Sequence, residues 1–143
     1  MAAKNILVIG AGKIGQVVAD LLAGTSDYDV TLADRDAATL QALTATAPPG
    51  SRVRHLNLDV ANAGALASAL AGRFAVLSAA PFHFTQRVAE AARAAGVHYL
   101  DLTEDVASTR AIRALAEDTR SALIPQCGLA PGFISIVAAD LAS

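Results

Sequence analysis

The sequence predicts an α/β domain built on one doubly wound parallel sheet. Short apolar runs alternate with amphipathic helical patterns from end to end, a glycine-rich turn directly follows the first run, and an acidic residue closes the second. Apolar runs without polar alternation suit strands buried on both faces, as in a parallel sheet covered by helices. With right-handed crossovers, six such runs give the strand order 3-2-1-4-5-6.

The strands are expected at 5–9 (NILVI), 30–33 (VTLA), 53–58 (VRHLNL), 74–78 (FAVLS), 98–102 (HYLDL) and 122–124 (ALI). Ile14, Val17, Val18, Leu21 and Leu22 recur at helical spacing and predict the apolar face of the first helix. Leu40 with Leu43, and Leu66 with Leu70, mark two shorter helices. Phe84, Val88, Ala91, Ala92 and Ala95 mark a fourth, and Ile112, Leu115 and Ala116 a fifth. Gly24, Gly72 and Gly96 stand where helices stop. Pro48, Pro49 and Gly50 punctuate the turn before the third strand. Residues 133–142 read as the start of a further helix.

At 143 residues a single domain is expected, large enough to bury roughly two-thirds of its unfolded surface. A hydrophobic content of 54% and a mean hydropathy of +0.45 exclude disorder. No apolar run approaches the ~18 residues of a spanning helix, and the short "ILVIG" reads as a strand, not a signal peptide. The net charge is −2. Its Lys and Arg residues are scattered, which argues against a nucleic-acid surface. Cys127 stands alone, so no disulfide forms within the chain and a cytoplasmic setting is expected. No His/Cys/Asp grouping has metal-ligand spacing, and no metal is expected.

"GAGKIG" at 10–15 lies between a strand and an amphipathic helix, the context that gives this pattern meaning. Gly10 makes the tight turn, Gly12 lets backbone approach a pyrophosphate, and Gly15 lets the helix pack on the strand. Ala11, Lys13 and Ile14 complete a helix start whose N–H groups suit phosphates. Asp34, at the end of the second strand, offers a carboxylate to the ribose hydroxyls of adenosine and repels a 2′-phosphate. NAD is therefore expected over NADP. Arg35 either stacks on adenine or tolerates the extra phosphate, and Asp36 reads as a helix N-cap. Asp59 and Val60 fall where the adenine should lie, with Asp59 open to a bond with the adenine amino group or to an N-cap role. Ser78, Ala79 and Ala80 let a cofactor cross the fourth strand end, and Pro81 bends the chain away.

The segment "PQCGLAPGFISI" (125–136) follows the sixth strand. Cys127 and Gly128 are placed at the nicotinamide end of the crevice, with Pro131 and Gly132 as backbone shapers. A catalytic Cys127 lacks an evident base partner. His83 is a candidate proton relay or a loop cap. Asp101, Glu104 and Asp105 either meet a substrate amine or cap the next helix. His55 and His98 read as structural.

Taken together, "VIGAGKIG", "VTLADRD", "LSAAPFHFT", "HYLDLTED" and "CGLAPGF" resemble the saccharopine dehydrogenase-like family, particularly its lysine 6-dehydrogenase branch. The resemblance implies a Rossmann domain, lysine metabolism, and hydride transfer between a nicotinamide and an amine-bearing carbon of an amino acid. It implies a separate substrate domain and a homo-oligomeric full-length enzyme. Residues 1–132 are then the NAD(P)-binding domain, and 133–143 lead toward that second domain. On this reading the chain alone catalyses little. The rival expectation is a non-catalytic NAD-sensing module of the potassium-transport type, which shares the glycine turn and the strand-end acid but not the last two motifs.

Overall fold

The computed structural model describes residues 2–143. Its six strands are β1 (Lys4–Ile9), β2 (Tyr28–Asp34), β3 (Arg54–Asn57), β4 (Ala75–Ser78), β5 (His98–Asp101) and β6 (Leu123–Ile124). They form one all-parallel sheet in the expected order, 3-2-1-4-5-6. Between them run α1 (Lys13–Ala23), α2 (Ala37–Thr46), α3 (Ala63–Leu70), α4 (Thr85–Ala95) and α5 (Val106–Leu115). A 3-10 turn, Phe82–Phe84, precedes α4, and a π turn, Leu129–Phe133, precedes α6 (Ile134–Leu141).

The two-residue period of a strand divides β1 between two cores. Leu7 and Ile9 join Leu66, Leu70, Val88, Ala92, Tyr99 and Ile112 on one face of the sheet. Ile6 and Val8 join Ala19, Ala23, Val30, Leu32 and Leu40 on the other. Each large apolar side chain buried this way contributes about 1.5–3 kcal/mol, which makes these two layers the main source of stability. Register also aligns the strand ends: Ile9 pairs with Ser78, Ser78 with Asp101, and Asp34 with Asn57. The C-terminal ends thus share one edge, where β1 and β4 part their connections to opposite directions. That is the switch point at which open α/β sheets bind ligands.

The expected face of α1 holds for Val18 and Leu22, which are half-buried against the core, and is corrected for the rest. Its buried residues are Gly15, Ala19 and Ala23, while Ile14, Val17 and Leu21 are 60%, 54% and 70% exposed. Small side chains bring the helix close to β1, and closeness wins over side-chain bulk. The other helices follow their patterns: Leu40, Leu66, Leu70, Val88, Ala92 and Ile112 are buried. Ala95 is exposed instead, and Thr85 and Ala89 complete the buried face of α4. Gly96 ends α4 in the left-handed region at φ 69°.

Asp36 caps α2, accepting from the N–H groups of Ala38 and Thr39. The cap of α3 is Asn62, whose side chain accepts from Ala65 N–H at 3.0 Å. Asp59 is therefore not that cap; it closes its own turn by accepting from Ala61 N–H at 2.9 Å. We expect Asn62→Ala to cost about 1 kcal/mol of stability, readable as a lower midpoint in urea with an unchanged m-value. His55 bonds Thr44 Oγ1 through Nδ1 at 2.7 Å, and His98 Nδ1 accepts from Ala122 N–H at 2.9 Å. Both contacts are structural in kind.

Candidate functional site: a dinucleotide crevice

The glycine turn takes the conformation its residues require. Gly10 sits at φ 106°, where a side chain would also lie 2.7 Å from the Ala79 carbonyl oxygen. Gly15 faces the Gly10 carbonyl so closely that a Cβ would stand 1.8 Å from its oxygen. Gly12 is different. It is the residue before α1, in extended conformation, and a Cβ there meets nothing within 4 Å. Open space lies in front of a helix start whose first N–H groups have no partner within the helix. This is the arrangement that accepts a phosphate.

Asp34 ties the second strand to this turn. Its Oδ2 accepts from Ala11 N–H at 2.7 Å and its Oδ1 from Asp36 N–H at 2.9 Å. Asn57 donates to the carbonyls of Asp34 and Arg35 at 3.1 and 3.0 Å. The acid, the residue after it and the glycine turn thus form one hydrogen-bonded unit.

Beside this unit opens a cavity of about 220 Å³. Gly10, Asp34, Arg35, Asp59, Val60, Ala80 and Pro81 line it, as does His83. Ile9, Leu58 and Phe84 also line it and were not singled out by sequence. Leu58 and Ile9 belong to ordinary apolar runs, and Phe84 carries a helical pattern, so nothing local marked them. Phe84 packs against His83 with ring centroids 4.2 Å apart and the planes tilted by 48°. The remaining cofactor candidates lie outside the cavity. Gly12, Lys13 and Ile14 are exposed at the start of α1, and Ala11 and Gly15 are buried behind it. The Ser78 hydroxyl is buried beneath the strand ends with no hydrogen-bond partner among the described residues, so it does not reach the crevice surface.

Cys127 and Gly128 lie on the loop after β6, which Asp101 holds. Asp101 is 1% exposed. Its Oδ2 accepts from Tyr99 O–H at 2.9 Å, and its Oδ1 from the N–H groups of Thr103 and Gln126, both at 3.0 Å. Its backbone carbonyl accepts from Cys127 N–H at 2.7 Å. Burial, and next the Asp101 charge, push the Cys127 thiol above its ordinary range, away from a nucleophile's requirement. The other two acids separate: Asp105 caps α5 through Ser108 N–H at 2.6 Å, and Glu104 is exposed. The Ser108 bonds hold the Asp105 carboxyl below its ordinary value, as expected for an ionised cap. Among the described residues no three His, Cys, Asp or Glu side chains converge on a metal-sized site. No helix among the described residues is long and apolar enough to cross a membrane.

The family described as "Saccharopine dehydrogenase NADP binding domain" matches residues 6–124. Saccharopine dehydrogenase [NADP(+), L-glutamate-forming] of Saccharomyces cerevisiae is 39% identical over 89 residues, spanning 62% of this chain and 19% of that protein. The solved apo saccharopine dehydrogenase (L-Glu forming) from Saccharomyces cerevisiae superposes with a TM-score of 0.81 at 29% identity, over 97% of this chain and 30% of that one. The TrkA-N domain of the inner membrane protein ybaL from Escherichia coli reaches a TM-score of 0.72 at 15% identity, over 99% of this chain and 98% of its own. At that identity the likeness is one of fold alone. The family description and the yeast enzyme's name both carry NADP, and so give no support to the preference for NAD drawn from Asp34.

Proposed function

The chain belongs to the saccharopine dehydrogenase NADP-binding domain family, and from that premise we propose that it supplies the cofactor half of an amine-oxidising dehydrogenase. It is a dinucleotide-binding domain of the saccharopine dehydrogenase-like oxidoreductases. The proposed reaction moves a hydride between an amine-bearing carbon of an amino acid and NAD(P), in a full-length enzyme whose substrate walls lie outside residues 1–132. The helix at 134–141 has no buried residue, which suits a lead into such a domain. Assembly of the full-length enzyme as a homo-oligomer, in the cytoplasm, belongs to the same proposal.

One observation carries the reading: the Asp34 carboxylate is bonded to Ala11 N–H inside the glycine turn, directly beside a cavity and the open space at Gly12. The residues present fit a dinucleotide. Gly12 and the start of α1 suit the pyrophosphate, and Asp34 with Arg35 suits the adenosine ribose. Leu58 and Val60 offer apolar walls to an adenine. The bound nicotinamide would accept or return the hydride. The protein's own part is to orient it and to exclude water from the strand ends. His83, exposed on the turn after β4, is the proposed proton carrier. Cys127 and Gly128 serve as a wall and not as a nucleophile.

We place Asp34 as the reader that tilts the domain toward NAD, with Arg35 as the group that keeps NADP binding within reach. Titration of the chain with NADH and NADPH, followed by nicotinamide fluorescence, tests both statements. We expect saturable binding of both, NADH about tenfold tighter, a difference of ~1.4 kcal/mol. Tighter NADPH binding would remove the ribose reading. Failure to bind either would remove the proposed function. Lysine and saccharopine are the substrates to test in a full-length enzyme, and fold likeness alone stands behind the regulatory-module alternative.

A further inference from the structure

One buried carboxylate bonds to both loops that flank the end of β5 and, through Tyr99, reaches the turn beside the cavity. Tyr99 is fully buried, and its O–H lies 2.9 Å from Asp101 Oδ2 and 3.3 Å from the Thr85 carbonyl. Thr85 begins α4, immediately after the cavity-lining His83 and Phe84. The opposite oxygen of Asp101 holds Gln126 N–H, and the Asp101 carbonyl holds Cys127 N–H. Gln126 is held at φ 64°, a left-handed conformation that a non-glycine residue adopts at a cost. A Cβ on Gly128 would lie 3.2 Å from the Leu102 carbonyl oxygen, so the loop also seats tightly on the chain after β5.

We propose that Asp101 is a positioning residue that fixes the 126–128 loop relative to the 83–85 turn, setting the two walls of the nicotinamide end. This rests on the dinucleotide reading above for what the walls enclose, and on the hydrogen bonds alone for the coupling itself. The charge matters because one ionised carboxylate accepts three donors at once, with no proton of its own to conflict with any of them. Removing it leaves the partly buried N–H groups of Thr103 and Gln126 without this acceptor and the Tyr99 phenol with only the longer contact to the Thr85 carbonyl, and such losses are expensive. The Tyr99 phenol is held far above its ordinary pKa, by burial and then by the neighbouring Asp101 charge, so it remains a donor at any working pH.

Cys127 is the only cysteine and sits on the loop itself, so its alkylation by iodoacetamide reports the clamp directly. The test compares Asp101→Ala, Asp101→Asn and Tyr99→Phe with the unmodified chain, measuring alkylation across pH and the dissociation constants of NADH and NADPH. In Asp101→Ala we expect the alkaline plateau of the alkylation rate to rise about tenfold and dinucleotide affinity to fall about tenfold, consistent with lost bonds to a charged acceptor. Asp101→Asn keeps an acceptor for the loop amides. We expect it to restore the plateau and most of the affinity while moving the thiol's midpoint to lower pH, because the adjacent negative charge is gone. A merely structural residue would not separate plateau from midpoint in this way. Unchanged plateau and affinity in a folded Asp101→Ala overturn the proposal. Should Asp101→Ala not fold, Tyr99→Phe decides: affinity lowered with the alkylation plateau retained supports the two-wall tie, and unchanged affinity overturns it. If the unmodified chain binds no dinucleotide, the proposed function fails, and the alkylation plateaus of Asp101→Ala and Asp101→Asn alone judge the clamp.

Discussion

Gly15→Ala is expected to destabilise the domain by about 3 kcal/mol or more, at the upper end of what overpacking costs, and to abolish dinucleotide binding. The added methyl would stand 1.8 Å from the Gly10 carbonyl oxygen. That neighbour is backbone, in a turn whose φ of 106° only glycine adopts freely, so it has no rotamer through which to yield. Relief requires α1 to lift from β1, which opens the contact made by Ala19 and Ala23 with the Ile6–Val8 core. Gly12→Ala supplies the contrast. Its φ of −69° is ordinary and, beyond its own chain neighbours, nothing lies within 4 Å of the new Cβ. We expect its urea midpoint to match the unmodified chain while NADH affinity drops at least about tenfold, because the methyl occupies the space a pyrophosphate needs. Thermal or urea unfolding with parallel fluorescence titration separates the two substitutions. Should Gly12→Ala bind NADH normally, the phosphates do not lie at the start of α1. Should Gly15→Ala keep its stability, the close packing of α1 is not what Gly15 is for.

That contrast also shows which features were legible in the sequence. Strand runs such as NILVI report burial on both faces, and six of them in alternation with helices leave few topologies once handedness applies; the sheet order follows. The glycine turn and Asp34 were legible because each demands a residue type that few other roles demand. The packing face of α1 was not, because hydrophobic periodicity weighs Ile14, Val17 and Leu21 by size, whereas close approach selects Gly15, Ala19 and Ala23 by smallness. Asp59 shows a second limit. An acid that directly precedes the turn at 60–61 and lies three residues before Asn62 satisfies the chemistry of either role, and only backbone geometry assigns the cap to Asn62. Asp101 shows a third. Its "DLTED" neighbours invite a substrate or capping role, and its long-range partners, Gln126 and Cys127, are brought to it only by the pairing of β5 with β6. Long-range hydrogen bonds of this kind carry no local signature.

Asp34→Asn is expected to shift the ratio of NADPH to NADH affinity toward NADPH by about tenfold, the size of a hydrogen bond to a charged acceptor. Asp34 has two roles that this isosteric change pulls apart. As a brace, it accepts from Ala11 and Asp36 N–H groups at 2.7 and 2.9 Å. As a reader, it presents negative charge on the wall of the cavity next to Arg35. Asparagine keeps one acceptor for the brace but removes the charge that opposes a 2′-phosphate, leaving Arg35 and Asp59 as the charged groups on that wall. If Asp34 reads the ribose, the ratio moves. If it only braces the turn, affinities for NADH and NADPH fall together and the ratio stays. Arg35→Ala provides the converse: NADPH affinity should drop more than NADH affinity. Because Arg35 is exposed, that difference should shrink as ionic strength rises. A salt-insensitive NADPH preference in the unmodified chain would place phosphate recognition somewhere other than Arg35. It would also favour the cofactor carried in the name of the yeast relative over NAD.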